Sequence, residues 1–208
     1  MNYGAGRGSW YFEDTSFLRR KLQDVKSYSN EYIGLDIDPV VMLNPTTSSN
    51  YLIIDNSIPF TTASIDIVIA DWVLEHLENP SNVFQEIDRV LVPGGIFCAR
   101  TPHKYNLISV IAKIVPNTYH TKILKYVQPG RKDLDVFPTV YRANTKKDIM
   151  VNFPGYKDFC YLFVPEITYD FDNSLINKVM NLAKHLLPKV CFSYMHIFLQ
   201  KDGDEKSI

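Results

Sequence analysis

Tyr32-Ile33-Gly34-Leu35-Asp36, Tyr51-Leu52-Ile53-Ile54-Asp55 and Ile65-Asp66-Ile67-Val68-Ile69-Ala70-Asp71 are three short apolar runs, and each closes on an acid. Runs of this length, rich in Ile and Val and followed by helix signals, read as buried strands of a parallel sheet. Ligands of such sheets sit at the carboxyl ends of the strands. One rim of the molecule is therefore expected to carry Asp36, Asp55 and Asp71. Just upstream, Gly4-Ala5-Gly6-Arg7-Gly8 is a turn with little side-chain bulk, where main chain can come close to a ligand. Together these features describe a nucleoside-shaped cofactor site.

Outward from these runs, residues 9 to 27 read as one helix, with Phe12, Phe17, Leu18, Leu22 and Val25 near helical spacing. Asp38-Pro39 opens a short helical or turn segment that stops near Asn44-Pro45. Asn79-Pro80 is a helix start, a capping residue followed by proline at the first helical position. Val83, Phe84, Ile87, Val90 and Leu91 then form an apolar face, Pro93-Gly94-Gly95 ends the helix, and Ile96 to Thr101 is the next strand. This alternation predicts an α/β fold, Rossmann-like and doubly wound, with a mostly parallel sheet. A helix at 145–151, a strand at 158–164, a helix at 174–187 and an antiparallel last strand at 191–200 follow. Residues 102–144 are aromatic, contain proline and carry apolar helical stretches at 107–115 and 123–127. Lying directly after a strand end, they are expected to form a cap on the substrate side.

The chain has 208 residues, which fits a single domain over 1–208. Its composition, 46% hydrophobic and 22% charged, is that of a globular protein, and the net charge of -1 offers no bulk attraction to nucleic acid. Cys98, Cys160 and Cys191 lack the paired spacing of a zinc site or a disulfide framework, so no metal is expected and the thiols read as reduced. With neither a membrane-length apolar stretch nor a signal-peptide pattern, the expected location is cytoplasmic.

Glycine spacing narrows the ligand. A dinucleotide fingerprint places its third glycine three positions after the second, to bring a helix N-terminus to a pyrophosphate. Here Gly8 follows Gly6 by two, which suits a phosphate-free nucleoside better. At this point the chain resembles the class I S-adenosylmethionine-dependent methyltransferases, in a form similar to the type 11 group. The resemblance rests on the glycine turn, Gly34-Leu35-Asp36-Ile37-Asp38-Pro39, Ile58-Pro59-Phe60, the run ending at Asp71, Leu74-Glu75-His76-Leu77-Glu78-Asn79-Pro80 and Arg89-Val90-Leu91-Val92-Pro93-Gly94-Gly95.

What the resemblance implies is specific. S-adenosyl-L-methionine is the cofactor. Asp36, with Ile37 beside it, accepts hydrogen bonds from the ribose hydroxyls, as an acceptor-only carboxylate does well. Asp55 and Asn56 meet the adenine edge, Gly4, Gly6 and Gly8 let main chain close on the methionine and ribose parts, and Asp71 and Trp72 line the site beside the sulfonium. The bland alternatives are a strand-end acid capping the next turn for Asp36, a turn residue for Asp55 and simple core for Trp72.

The sequence departs from the family at its start. Only Met1-Asn2-Tyr3 precede Gly4, so the first strand reads as truncated, and Asn2 stands where the family usually has an acid. A decayed methyltransferase fold retained for binding is therefore the alternative to an enzyme. For catalysis, His103 in Thr101-Pro102-His103 is the first candidate for a general base, followed by His120, Asp135 and Tyr141. The segment from Asp135 to Thr145 resembles a bacterial subgroup associated with cell-surface polysaccharide or glycolipid assembly. There Arg142 either fixes the cap to the core or reads an anionic acceptor. The expected acceptors are a small molecule, a glycan or a lipid-linked compound. Lys104, Lys113, Lys122 and Lys125 beside the apolar stretches of the cap raise peripheral membrane contact as a further expectation.

Overall fold

Strand pairing in the computed structural model, which describes residues 1–107, 109–110, 137–165 and 174–203, follows the alternation of the sequence. Strands β1 (Asn2–Tyr3), β2 (Ile33–Asp36), β3 (Ser49–Leu52), β4 (Ile65–Asp71) and β5 (Leu91–Pro102) run parallel in the order β3-β2-β1-β4-β5. Strand β8 (Tyr194–Gln200) lies antiparallel beside β5, and its outer side takes both β6 (Lys157–Asp158) and β7 (Tyr161–Phe163). The sheet is thus mostly parallel with an antiparallel last strand, as expected. The first strand is a two-residue piece at the sheet centre, Asn2 opposite Gly34 on one side and Ile69 on the other.

Among the described residues lie the helices α1 (Ser9–Glu13), α2 (Phe17–Gln23), α3 (Pro80–Val90), α4 (Lys146–Met150) and α5 (Ser174–Leu186). In α3, Val83, Phe84, Ile87 and Val90 are all buried, a stripe at helical spacing turned to the sheet. Phe84, Phe97, Phe153 and Tyr156 build one aromatic cluster, with ring centroids 5.0 to 6.1 Å apart. The Tyr156 hydroxyl donates to Asp88 at 2.6 Å and ties this cluster to the outer side of α3.

Several expected boundaries shift for local reasons. The single helix over 9–27 is broken, because Asp14 accepts from Ser16 N and the Ser16 hydroxyl accepts from Arg19 N, which ends α1 and starts α2 anew. Strand β3 closes at Leu52, three residues short of Asp55. Helix α3 stops at Val90, before Pro93-Gly94-Gly95. Those residues belong to β5, where Gly94 has φ +79° and the β4–β5 register shifts between Ile65 and Ile67. The strand expected at 158–164 is two pieces, and a 3-10 turn at Lys189–Phe192 precedes β8. Most of the apolar stretch 107–115, all of 123–127, His120, Asp135, Lys113, Lys122 and Lys125 lie outside the described residues.

Candidate functional site

Strand β1 delivers the chain directly into the glycine turn, where Gly4 N and Ala5 N both donate to Leu35 O of β2, at 2.7 and 2.9 Å. Gly4, Gly6 and Gly8 all have positive φ, +76°, +52° and +65°. At Gly4 and Gly8 the need for glycine is doubled. A Cβ at Gly4 would run into Val73, and one at Gly8 into the Asn44 side chain.

Asp36 sits at the end of β2 facing this turn. Its Oδ2 accepts from Gly6 N at 2.8 Å and its Oδ1 from Asp38 N at 3.0 Å. A carboxylate has about four lone-pair positions, so two remain for a ligand while the two backbone bonds fix its direction. Behind the pair, the Tyr3 hydroxyl has its pKa pushed up to about 12 by burial, with the Asp36 charge adding to the effect. Ile37, the next residue, is exposed at the same strand end.

Asn44 completes the turn, a residue read from sequence only as a helix stop. It is buried and uses its whole amide: Nδ2 donates to Ala5 O and Gly6 O at 3.0 and 3.1 Å, and Oδ1 accepts from Thr46 N and Thr46 Oγ1. Its only sequence signal was the Asn44-Pro45 pair at the end of a short helical turn.

Asp55 and Asn56 lie in a tight turn beyond β3. Both have left-handed backbone, φ +53° and +56°, a conformation that Asp and Asn tolerate better than most residues, and an isolated bridge joins Ile54 to Ser57. They are exposed and border a shallow depression with Asn82 and Gln85. The turn is braced from α3: Glu86 accepts from Ile58 N at 2.8 Å, while Arg89 donates to Phe60 O and Ile58 O and pairs with Glu86. That ion pair holds the Glu86 carboxyl below its usual range. The main chain couples this turn to Asp36 through Ile53 N, which donates to Asp36 O at 2.8 Å.

Asp71 and Trp72 behave differently. Both Asp71 oxygens accept from Arg100 at 2.8 Å across the β4–β5 ladder. The Arg100 guanidinium also lies 5.2 Å from the centre of the Trp72 ring, which packs edge-on to Tyr194. Trp72 has φ +58° and is partly exposed rather than core. Asp71, Arg100, His196 and Trp10 line a cavity of about 400 Å³ that also reaches Gly4 and Ala5. The structure thus groups Gly4, Gly6, Gly8 and Asp36 closely. Asp55 and Asn56 stand at the neighbouring strand end, and Asp71 and Trp72 are engaged with Arg100.

His103 is buried, and its Nδ1 accepts from Tyr105 N at 3.2 Å. Its pKa is lowered by burial, which outweighs the opposing Asp148 charge. With Nδ1 used as an acceptor, the neutral ring carries its proton on Nε2, and neither nitrogen has a lone pair open to take another. In this arrangement His103 orders the turn that follows it. Nearby, Asn144 donates to Thr101 Oγ1 and Pro102 O, Thr101 donates to the buried Glu75, and Lys104 N donates to Asn144 O. Tyr141 is buried, and Arg142 donates to Glu78 O at 2.7 Å.

Residues 15–99 match the protein family described as "Methyltransferase domain". A protein of Mycolicibacterium smegmatis, named a probable S-adenosylmethionine-dependent methyltransferase, is 29% identical over 107 residues, covering 48% of this chain and 40% of that protein. The chain therefore spans about two fifths of that relative. Among solved structures, the complex between the Haloferax volcanii Trm112 methyltransferase activator and a putative methyltransferase matches with TM-score 0.61 and 16% identity, over 99% of this chain and 82% of that one. An S-adenosylmethionine-dependent methyltransferase from Mesorhizobium loti matches with TM-score 0.54 and 15% identity, over 96% and 89%. The fold is the Rossmann-like one of class I S-adenosylmethionine-dependent methyltransferases.

Proposed function

We propose that this chain is an S-adenosylmethionine-dependent methyltransferase acting on a small-molecule, glycan or lipid-linked acceptor. The observation that carries the reading is the Asp36 carboxylate hydrogen-bonded to Gly6 N of a turn whose glycines admit no side chain at Gly4 or Gly8. That cradle fits an adenosyl group: two open lone-pair positions on Asp36 for the ribose diol, and bare main chain at residues 4–8 for the ribose and methionine parts. In this reading Asp55 and Asn56 meet the adenine edge, Ile37 borders the base, and Asp71 and Trp72, held by Arg100, wall the site rather than neutralise the sulfonium.

When bound, S-adenosylmethionine supplies an already activated methyl group. The chain's own work is to orient and to exclude water. Fixing the acceptor in line with the methyl accounts for several kcal/mol of barrier, on the order of what orientation contributes elsewhere. Asp36 holds the ribose through a carboxylate already aimed by two backbone N–H groups, and Asn44 stiffens the main chain beneath it. His103 orders the start of the 103–106 turn and takes no proton in this scheme.

Calorimetric titration with S-adenosylmethionine tests the reading. Micromolar binding is expected, weakened about tenfold or more in Asp36→Ala, which corresponds to about 1.4 kcal/mol. No binding heat, or an Asp36→Ala variant that binds like the parent, rejects it.

A further inference from the structure

Helix α2 has its amphipathic character turned outward. At about 100° per residue, Phe17, Leu18 and Leu22 share one arc with Lys21 between them, and Arg19, Arg20 and Gln23 share the other. The polar arc carries the contacts of the helix, although its residues stay exposed. Gln23 lines the cavity above the sheet, Arg19 binds both oxygens of Asp14, and Arg20 lies 5.2 Å from the centre of the Tyr11 ring. The apolar arc meets solvent instead: Phe17 is 81% exposed, Leu18 64% and Leu22 75%. Phe12 before the helix and Tyr28 after it are exposed as well. A helix that serves only to cover a core does the reverse.

We propose that α2 docks on an anionic lipid surface, with Phe17, Leu18 and Leu22 entering the interface and Lys21 among them meeting the headgroups. Charge selects this occupant. Residues 7–28 hold five basic side chains against three acidic ones, in a chain whose net charge is -1. Two of the acids pair with two of the bases, Glu13 with Arg7 and Asp14 with Arg19, which leaves Arg20, Lys21 and Lys26 against Asp24. A second copy docking through the same arc would bring Lys21 towards its own counterpart, with no acid on the arc to meet it. Leucine and phenylalanine flanked by cations is the arrangement that lies in a bilayer interface and responds to anionic lipid. The inference deepens the proposed function, because a lipid-linked acceptor is presented at such a surface. Vesicle binding needs neither cofactor nor turnover, so either idea can fail alone.

The test is co-flotation of the full chain with vesicles of phosphatidylcholine alone or mixed equally with phosphatidylglycerol. Binding is expected on the mixed vesicles, reduced by raised salt and weak on phosphatidylcholine. The pair Phe17→Ser and Leu22→Ser should lower it tenfold or more with no change in urea midpoint, and Lys21→Glu should lower it on mixed vesicles. The pair Leu182→Ser and Leu186→Ser, on the exposed side of α5, should leave it intact. The proposal is overturned if the parent ignores anionic vesicles, if the α2 pair binds like the parent, or if light scattering shows a dimer that the α2 pair abolishes.

Discussion

Helices α2 and α3 carry similar patterns of apolar residues and meet opposite fates. In α3, Val83, Phe84, Ile87 and Val90 are buried, whereas neither α1 nor α2 buries a single side chain. The difference lies in connection. Helix α3 is the crossover between the adjacent parallel strands β4 and β5, so chain geometry lays its stripe on the sheet, and Arg89, Glu86 and Asp88 fasten its other side to residues 58–60 and Tyr156. Helices α1 and α2 are parted by the Asp14 and Ser16 caps and held by polar contacts, Arg7 to Glu13, Arg19 to Asp14 and Lys26 to Thr47 O. A helical stripe says that a helix has two faces. It does not say which one the protein covers.

The contrast breaks most readily at its two phenylalanines. Phe84→Ala removes a fully buried ring from a cluster of four aromatics and should cost about 3–5 kcal/mol. Phe17→Ala should stay within about 0.5 kcal/mol, as exposed substitutions do. Urea unfolding of both variants measures the gap. Equal costs would mean that α2 is packed in solution, and the contrast would fail.

A pH series sharpens it next, because two histidines with shifted pKa values, His103 and His196, belong to the β5–β8 side of the sheet. The pKa values of His103 and His196 are lowered from the ordinary 6.5, chiefly by burial. A folded pKa below the unfolded one means that the unfolded chain binds more protons in the window between them. The stabilisation is therefore complete above pH 6.5 and drains away as pH falls below it. The carboxylates with lowered values, Asp14, Glu86 and Asp158, start from 3.8 or 4.5 and act further down. Urea midpoints between pH 7.5 and 5 should thus fall with acid in the parent. His103→Asn, which can still accept from Tyr105 N, should flatten that slope.

Much of this contrast was written in the sequence, and the rest is absent from it for physical reasons. The uninterrupted runs at Ile33–Asp36 and Ile65–Asp71 fold as strands because nothing in them competes with the ladder. The run ending at Asp55 misleads, since Ile53 and Ile54 continue its apolar character past the strand, and Asp55-Asn56 in fact makes a left-handed turn. Asn44 and Ala5 are 39 positions apart and meet only through the fold. The pairing of Asp71 with Arg100 likewise appears only once the β4–β5 register sets the two opposite each other.

That register sets the smallest expected effect. Arg100 and Asp71 form a two-pronged ion pair, but the side chains are 44% and 48% exposed, on the face of β4 and β5 away from α3. Water screens both charges, so Arg100→Ala should cost only about 0–1 kcal/mol of stability, despite bond lengths that rival those of the braced Glu86 and Arg89 pair. The loss should shrink further in high salt. A cost of several kcal/mol in urea unfolding, insensitive to salt, would show that this face is shielded from water, and α2 would then have to cover it in the manner of α3.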